Sequence, residues 1–195
     1  MKLYFAPGAC SLADHIAMHE AGLAFETEKV DTRQHVTASG QDFMTVNPKG
    51  YVPVLEFDDG QRLTENIAIL SWTAQQSPAL APKDEMSRLR LLETLAFIST
   101  ELHKQFKPLF MPNSTPEEKN RQSELIARRL QFVADQMAGE YLAGSNVGVA
   151  DAYLYVMLRW SKAMGVKVPD KLAAYMERMA QRPAVKAALA HEGLN

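Results

Sequence analysis

The chain has 195 residues, 47% apolar and 23% charged, with 21 Lys+Arg against 23 Asp+Glu for a net charge of −2. This is the composition of a folded globular protein and excludes disordered and fibrous classes; the balanced charge leaves no basic footprint for a nucleic-acid backbone, and no apolar run approaches the ~18 residues of a membrane span. Cys10 is the single cysteine, which excludes an internal disulfide and a thiolate zinc site, and the few residues before Pro7-Gly8 are too short for a secretion signal, so a cytoplasmic protein is expected.

The first eighty residues mix short β-type runs with helical ones. Residues 2–6 read as a strand ended by Pro7-Gly8, and residues 11–21 as a helix with apolar positions at 12, 13, 16 and 17 that stops at Gly22. A second strand is expected over 25–30, followed by a polar, irregular stretch over 32–41. Residues 51–57 read as a strand that turns at Asp58-Asp59-Gly60 and returns over 61–64; Asp-Gly between two such runs is a strong hairpin signal. Pro53 cannot donate to a sheet ladder and marks a strand edge or end. A helix follows over 65–75. The order of elements implies a mixed four-stranded sheet with helices, an α/β domain over residues 1–80.

After a linker at Ser77-Pro78-Ala79-Leu80-Ala81-Pro82 the pattern is helical throughout, giving a second, all-α domain over residues 81–195. One long amphipathic helix is expected over 84–110. Thr115-Pro116-Glu117-Glu118 forms a capping box with proline at the first helical position, opening a helix to about residue 138. Further helices are expected over 149–163, 170–181 and 183–189.

Cys10 lies at a strand-to-helix turn, where uncapped N–H groups and the helix dipole lower a thiol pKa and attract anions; the alternative is a small core residue. His103-Lys104 sits beside the apolar face formed by Leu95, Leu102, Phe106 and Leu109. His15, His19, His35 and His191 share no metal-ligand spacing with it, so no metal is expected. Glu65-Asn66 opens a helix directly after a strand; the acid either complements the dipole or holds the ammonium of a ligand whose carboxylate rests on that helix end. No glycine-rich phosphate loop exists, so nucleotide binding has no support.

The block Asn47-Pro48-Lys49-Gly50-Tyr51-Val52-Pro53 through Gly60 to Glu65-Asn66-Ile67-Ala68-Ile69 resembles the thioredoxin-like domain of cytosolic glutathione transferases. The opening around Ala9-Cys10-Ser11 is similar to the bacterial beta class, as is Thr100-Glu101-Leu102-His103-Lys104, and Ala150-Asp151 is similar to the wider family. The resemblance implies a thioredoxin-like domain followed by a helical domain, glutathione as co-substrate, no metal, and a homodimer. It implies conjugation of the glutathione sulfur to a hydrophobic electrophile, with Cys10 and His103 catalytic. Ala9, Ser11, His35, Val52, Pro53, Glu65, Asn66 and Lys104 would hold glutathione, with Pro53 in a cis peptide bond, and Phe106 and Trp160 would wall the hydrophobic substrate. Glutathione-dependent thiol–disulfide exchange or dehalogenation, and non-catalytic binding of hydrophobic ligands, are alternatives on the same fold. Three positions of the glutathione site depart from the family pattern: Asn66 replaces a serine, His35 a lysine and Ala96 an asparagine. Gly148 stands where the family caps a helix with Ser or Thr, a change that costs only a few tenths of a kcal/mol.

Overall fold

Strand β1 (Lys2–Phe5) lies at the centre of a five-stranded sheet because its side chains are buried on both faces. It pairs in parallel with β2 (Glu26–Asp31) and antiparallel with β4 (Val54–Glu56), which turns back into β5 (Arg62–Thr64). The two-residue β3 (Val36–Thr37) pairs with the outer side of β2, so the order is β3-β2-β1-β4-β5. The computed structural model describes residues 1–194.

Alternation along β1 sorts the core. Leu3 and its register partner Leu55 pack with Met18 and Ile69, while Tyr4 and Val54 pack with Val30, Phe43, Val46 and Val52 on the opposite face. Helices α1 (Ser11–Glu20) and α2 (Asn66–Gln75) supply Met18 and Ile69 and pack on one another. The last turn of α1 closes as sequence reading expects. Gly22 takes φ +69° and its N–H reaches the His19 carbonyl, while the Leu23 N–H reaches Met18. These are the paired bonds of a Schellman motif, which a residue with a Cβ adopts only under strain. The hairpin turn at Asp58–Gly60 likewise forms where expected, with Gly60 at φ +84°.

The sheet has five strands rather than four. Two residues are too few to carry an alternation signal, and β3 falls inside the stretch read as irregular. The chain also divides differently at its end. One unit comprises Met1–Ala81 together with the segment from Pro183 onward, and the other Pro82–Arg182. Helix α8 (Pro183–Glu192) packs on α1, so it belongs to the sheet-containing unit and not to the helical one.

The helical unit opens with α3 (Glu85–Phe97), whose first turn is capped by Asp84 accepting from the Ser87 N–H at 2.7 Å. The expected continuous helix to residue 110 breaks there. A π-helical turn (Ile98–Leu102) and a 3-10 turn (His103–Phe106) separate α3 from the short α4 (Lys107–Phe110). Pro108 supplies a cause for the 3-10 turn: it has no N–H to offer the Lys104 carbonyl and its ring crowds that carbonyl, which accepts from the Lys107 N–H instead. Gln105 Nε2 recovers one loosened acceptor by donating to the Thr100 carbonyl at 3.0 Å.

Helix α5 (Pro116–Gln136) begins with the reciprocal Thr115–Glu118 box, both bonds present. Helices α6 (Val149–Ala163) and α7 (Asp170–Ala180) complete the unit. At the start of α6 the fully buried Asp151 carboxylate accepts from the N–H groups of Gly148 (2.7 Å) and Leu142 (2.9 Å) and from Tyr175 Oη (2.9 Å). Asp151 therefore caps α6 and pins the preceding loop without a hydroxyl at Gly148. Among the described residues no helix is long and apolar enough to cross a membrane.

Candidate functional site

The turn from β1 into α1 is held by Ser11, whose Oγ accepts from the Ala6 N–H at 3.2 Å and lies 3.4 Å from the Ala6 carbonyl. Ala9 and Cys10 ride on this clamped turn, and Cys10 is the residue that precedes α1. The Cys10 thiol donates to the Val52 carbonyl at 3.6 Å, and the Val52–Pro53 peptide bond is cis, as the resemblance implied. The start of α2 meets the same turn. Asn66 Nδ2 donates to the Cys10 carbonyl at 2.9 Å and to Asp14 Oδ2 at 2.6 Å. Cys10, Val52, Pro53 and Asn66 are thus brought together by three elements of one unit.

The electrostatics at Cys10 oppose the expectation from the helix end. Although Cys10 keeps some exposure, desolvation pushes its thiol up to about 12, and the carboxyl of Asp14 one turn along α1 adds to the rise. Backbone N–H groups at the turn act in the other direction and lose. Asp14 is itself fully buried, and burial drives its carboxyl well above the usual range against the pull of its Asn66 bond. Cys10 in the free protein is a thiol, not a thiolate.

Glu65 takes φ +76°, a left-handed conformation unusual for a residue with a side chain, and its carboxylate does not cap α2. It accepts instead from Lys49 Nζ and from Tyr51 Oη at 2.8 Å. Its reading as a simple dipole complement is replaced by an exposed acid held beside the start of α2, which its own side chain does not cap. His35, also at positive φ, lies over the same loop; a Cβ at Gly50 would come within 3.0 Å of its ring. Asn66 is corrected in one respect. Both its amide hydrogens are committed to Cys10 and Asp14, so its side chain positions α1 and has no donor left for a ligand.

In the helical unit, the π turn delivers His103 against α6. His103 Nδ1 and Tyr153 Oη share a hydrogen bond of 2.6 Å, and the ring meets Trp160 edge-on at 5.1 Å. Burial, with the neighbouring Lys104 charge, lowers the His103 pKa to about 4, so the ring is neutral near pH 7. Lys104 itself is exposed. Phe106 is fully buried and offers no surface to a substrate; it supports Trp160 from behind at 5.4 Å. The open aromatic surface belongs to half-buried Trp160 and to Phe110, 46% exposed and edge-on to Trp160 at 5.0 Å.

Sequence reasoning gave no role to Lys49, Tyr51 or Asp14, and read Tyr153 and Phe110 as core by default. Lys49 and Tyr51 lay inside the most specific block of the chain, and Asp14 is four residues after Cys10, the spacing that stacks side chains on one helix face. Tyr153 carried no local signal.

Family models for the glutathione S-transferase N-terminal and C-terminal domains match residues 9–76 and 97–183. Glutathione S-transferase GstA of Escherichia coli O157:H7 is 42% identical over the full length of both chains. A sphingomonad glutathione S-transferase solved in complex with glutathione superposes with TM-score 0.94 at 45% identity, each chain fully covered. A bacterial beta-class glutathione S-transferase of Sphingomonas chungbukensis does so with TM-score 0.92 at 47% identity, again over all of both chains. The chain belongs to the glutathione S-transferase family, enzymes that use glutathione as co-substrate, and its solved relatives include the bacterial beta class.

Proposed function

We propose that the protein conjugates the glutathione sulfur to a hydrophobic electrophile, with Cys10 acting as a hydrogen-bond donor to that sulfur and not as a nucleophile. The observation that carries this reading is the Cys10 thiol fixed on a clamped turn and donating to the Val52 carbonyl at 3.6 Å, with burial pushing its pKa up to about 12. The attacking group is the glutathione thiolate. It forms the new bond to an electrophilic carbon, and the displaced group or the added proton balances the charge. A donor at Cys10 stabilises the thiolate before attack. Disulfide exchange or dehalogenation through Cys10 needs an attacking thiolate there, which desolvation and Asp14 disfavour.

The γ-glutamyl end of glutathione fits the Glu65 carboxylate through its ammonium and the first N–H groups of α2 through its carboxylate. Val52 offers its backbone to the cysteinyl part, with Pro53, Ala9 and Ser11 shaping the turn around it and His35 beside the Lys49–Tyr51 loop. In the helical unit the family resemblance gives His103 and Lys104 to glutathione and Trp160 to the apolar substrate, and Phe110 extends the open face of Trp160. A homodimer is supported by apolar side chains left open on α3 and α5, Met86 at 61% and Phe132 at 50% exposure. The lone reduced cysteine favours the cytoplasm.

Conjugation kinetics test the donor role. Cys10→Ser keeps a donor and should hold most of kcat, whereas Cys10→Ala should lose about ten- to a hundredfold, the worth of one hydrogen bond to a charged atom. Equal activity in wild type and Cys10→Ala would refute it.

A further inference from the structure

Helix α8 brings His191 beside two histidines of α1. His15 and His19 are four residues apart and share one face of α1, where their rings stack at 5.2 Å; the His191 ring lies 5.6 Å from His15 and 5.4 Å from His19. Each ring offers one nitrogen, and these atoms lie within 4.8 Å of one another. The sequence spacing carries no metal motif, because the third ring arrives from the far end of the chain.

Hydrogen bonding fixes the chemistry of the cluster. His15 is completely buried, and its Nδ1 lies 2.9 Å from Glu192 Oε1. A carboxylate accepts, so Nδ1 carries the proton of this bond, which leaves Nε2 as the nitrogen that a neutral ring would offer to a metal. Among the described residues that buried Nε2 has no hydrogen-bond partner, nor has the buried Nε2 of His19. Two buried ring nitrogens left without a partner in one cluster are costly unless something occupies the space beside them. The arrangement of a carboxylate behind a histidine whose other nitrogen is bare is the usual support for a metal ligand. Glu192 is anchored in turn, its Oε2 accepting from the Gly8 N–H at 2.8 Å.

We propose that His15, His19 and His191 bind a borderline divalent transition-metal ion of the zinc type, with Glu192 orienting His15 and a water completing the coordination. Three imidazoles suit Zn2+, Ni2+ and Cu2+ and not Mg2+ or Ca2+. Tetrahedral bonds of about 2.0–2.1 Å hold ligand nitrogens roughly 3.3 Å apart, so the rings close in by at most about 1.5 Å. His191 is exposed and makes most of that movement. The site lies on the α1–α8 pair, takes no part in the conjugation step, and ties the C-terminal helix to the sheet-containing unit. It stands independently of the transferase reading.

Titration calorimetry of the untagged, chelator-stripped protein with Zn2+ alone tests the site, alongside His19→Gln, His191→Gln and Glu192→Gln. One equivalent should bind wild type and raise its Tm. Loss of either histidine should weaken binding at least about tenfold, and Glu192→Gln should also cost about ten- to a hundredfold. His191→Gln alters an exposed side chain, so a folded variant is available. Cys10→Ser should bind Zn2+ as wild type does. Absence of binding up to high-micromolar Zn2+, or undiminished binding in both His19→Gln and His191→Gln, would overturn the proposal.

Discussion

Cys10 should react with iodoacetamide far more slowly than a free cysteine, with no inflection near neutrality. With its thiol pushed up to about 12, the thiolate fraction at pH 7 is about 10⁻⁵, against roughly 3% for a free thiol of pKa about 8.5. The ratio is about 3,000. A more basic thiolate is also a better nucleophile, and a Brønsted slope of about 0.45 over roughly 3.5 units returns about a factor of 40. The net expectation is alkylation about a hundredfold slower than free cysteine at pH 7, before any steric protection at the turn. The rate should climb log-linearly with pH to at least about pH 10 and show no plateau below it. Asp14→Asn should speed the reaction only modestly, because desolvation is the larger cause and Asp14 the second. The assay is mass-spectrometric rate measurement, unambiguous because Cys10 is the single cysteine. A plateau near pH 7, or a rate matching free cysteine, would refute the protonated-thiol assignment and restore the thiolate expected from the helix end.

Asn66→Ala removes two hydrogen bonds and strands the buried Asp14 carboxyl, and should destabilise the protein by about 3 kcal/mol in urea unfolding, with the midpoint falling and m unchanged. Glu65→Ala should raise the Kd for glutathione severalfold by calorimetry; an unchanged Kd would move the γ-glutamyl end elsewhere. His103 binds its proton more weakly folded (about 4) than unfolded (6.5), so the unfolded chain takes up more protons between those values. Stability from this residue is full above pH 6.5 and is lost toward pH 4, by roughly 3 kcal/mol, and His103→Gln should flatten that part of the pH–stability curve. Asp151→Ala frees two N–H groups and Tyr175 Oη, and should lower Tm more than any exposed substitution in the same unit.

What could be read in advance was local. Gly22 ending α1, the Asp59-Gly60 hairpin and the Thr115–Glu118 box are short patterns whose bonds lie within a few residues, and each formed as expected. The long helix failed locally too, since Pro108 stood in plain view inside an otherwise regular apolar face. Other features depend on distant parts of the chain. Nothing near residue 36 announces a two-residue strand on β2, and nothing near residue 183 says that α8 leaves the helical unit for α1. The Cys10 environment illustrates the physical limit. The helix end was visible in sequence, but the desolvation and the Asp14 carboxyl that outweigh it come from packing. The resemblance named Glu65 and Asn66 together, and only geometry separates an exposed carboxylate from an amide spent on Asp14.

The ionisation of bound glutathione tests the central claim most directly. The ultraviolet thiolate band of the glutathione complex, followed against pH, should show the bound thiol titrating below its value in free glutathione for wild type and for Cys10→Ser. In Cys10→Ala it should move back up by about one unit or more, matching the loss of one donor to a charged sulfur. The same midpoint in all three proteins would contradict Cys10 as the donor that readies glutathione for attack.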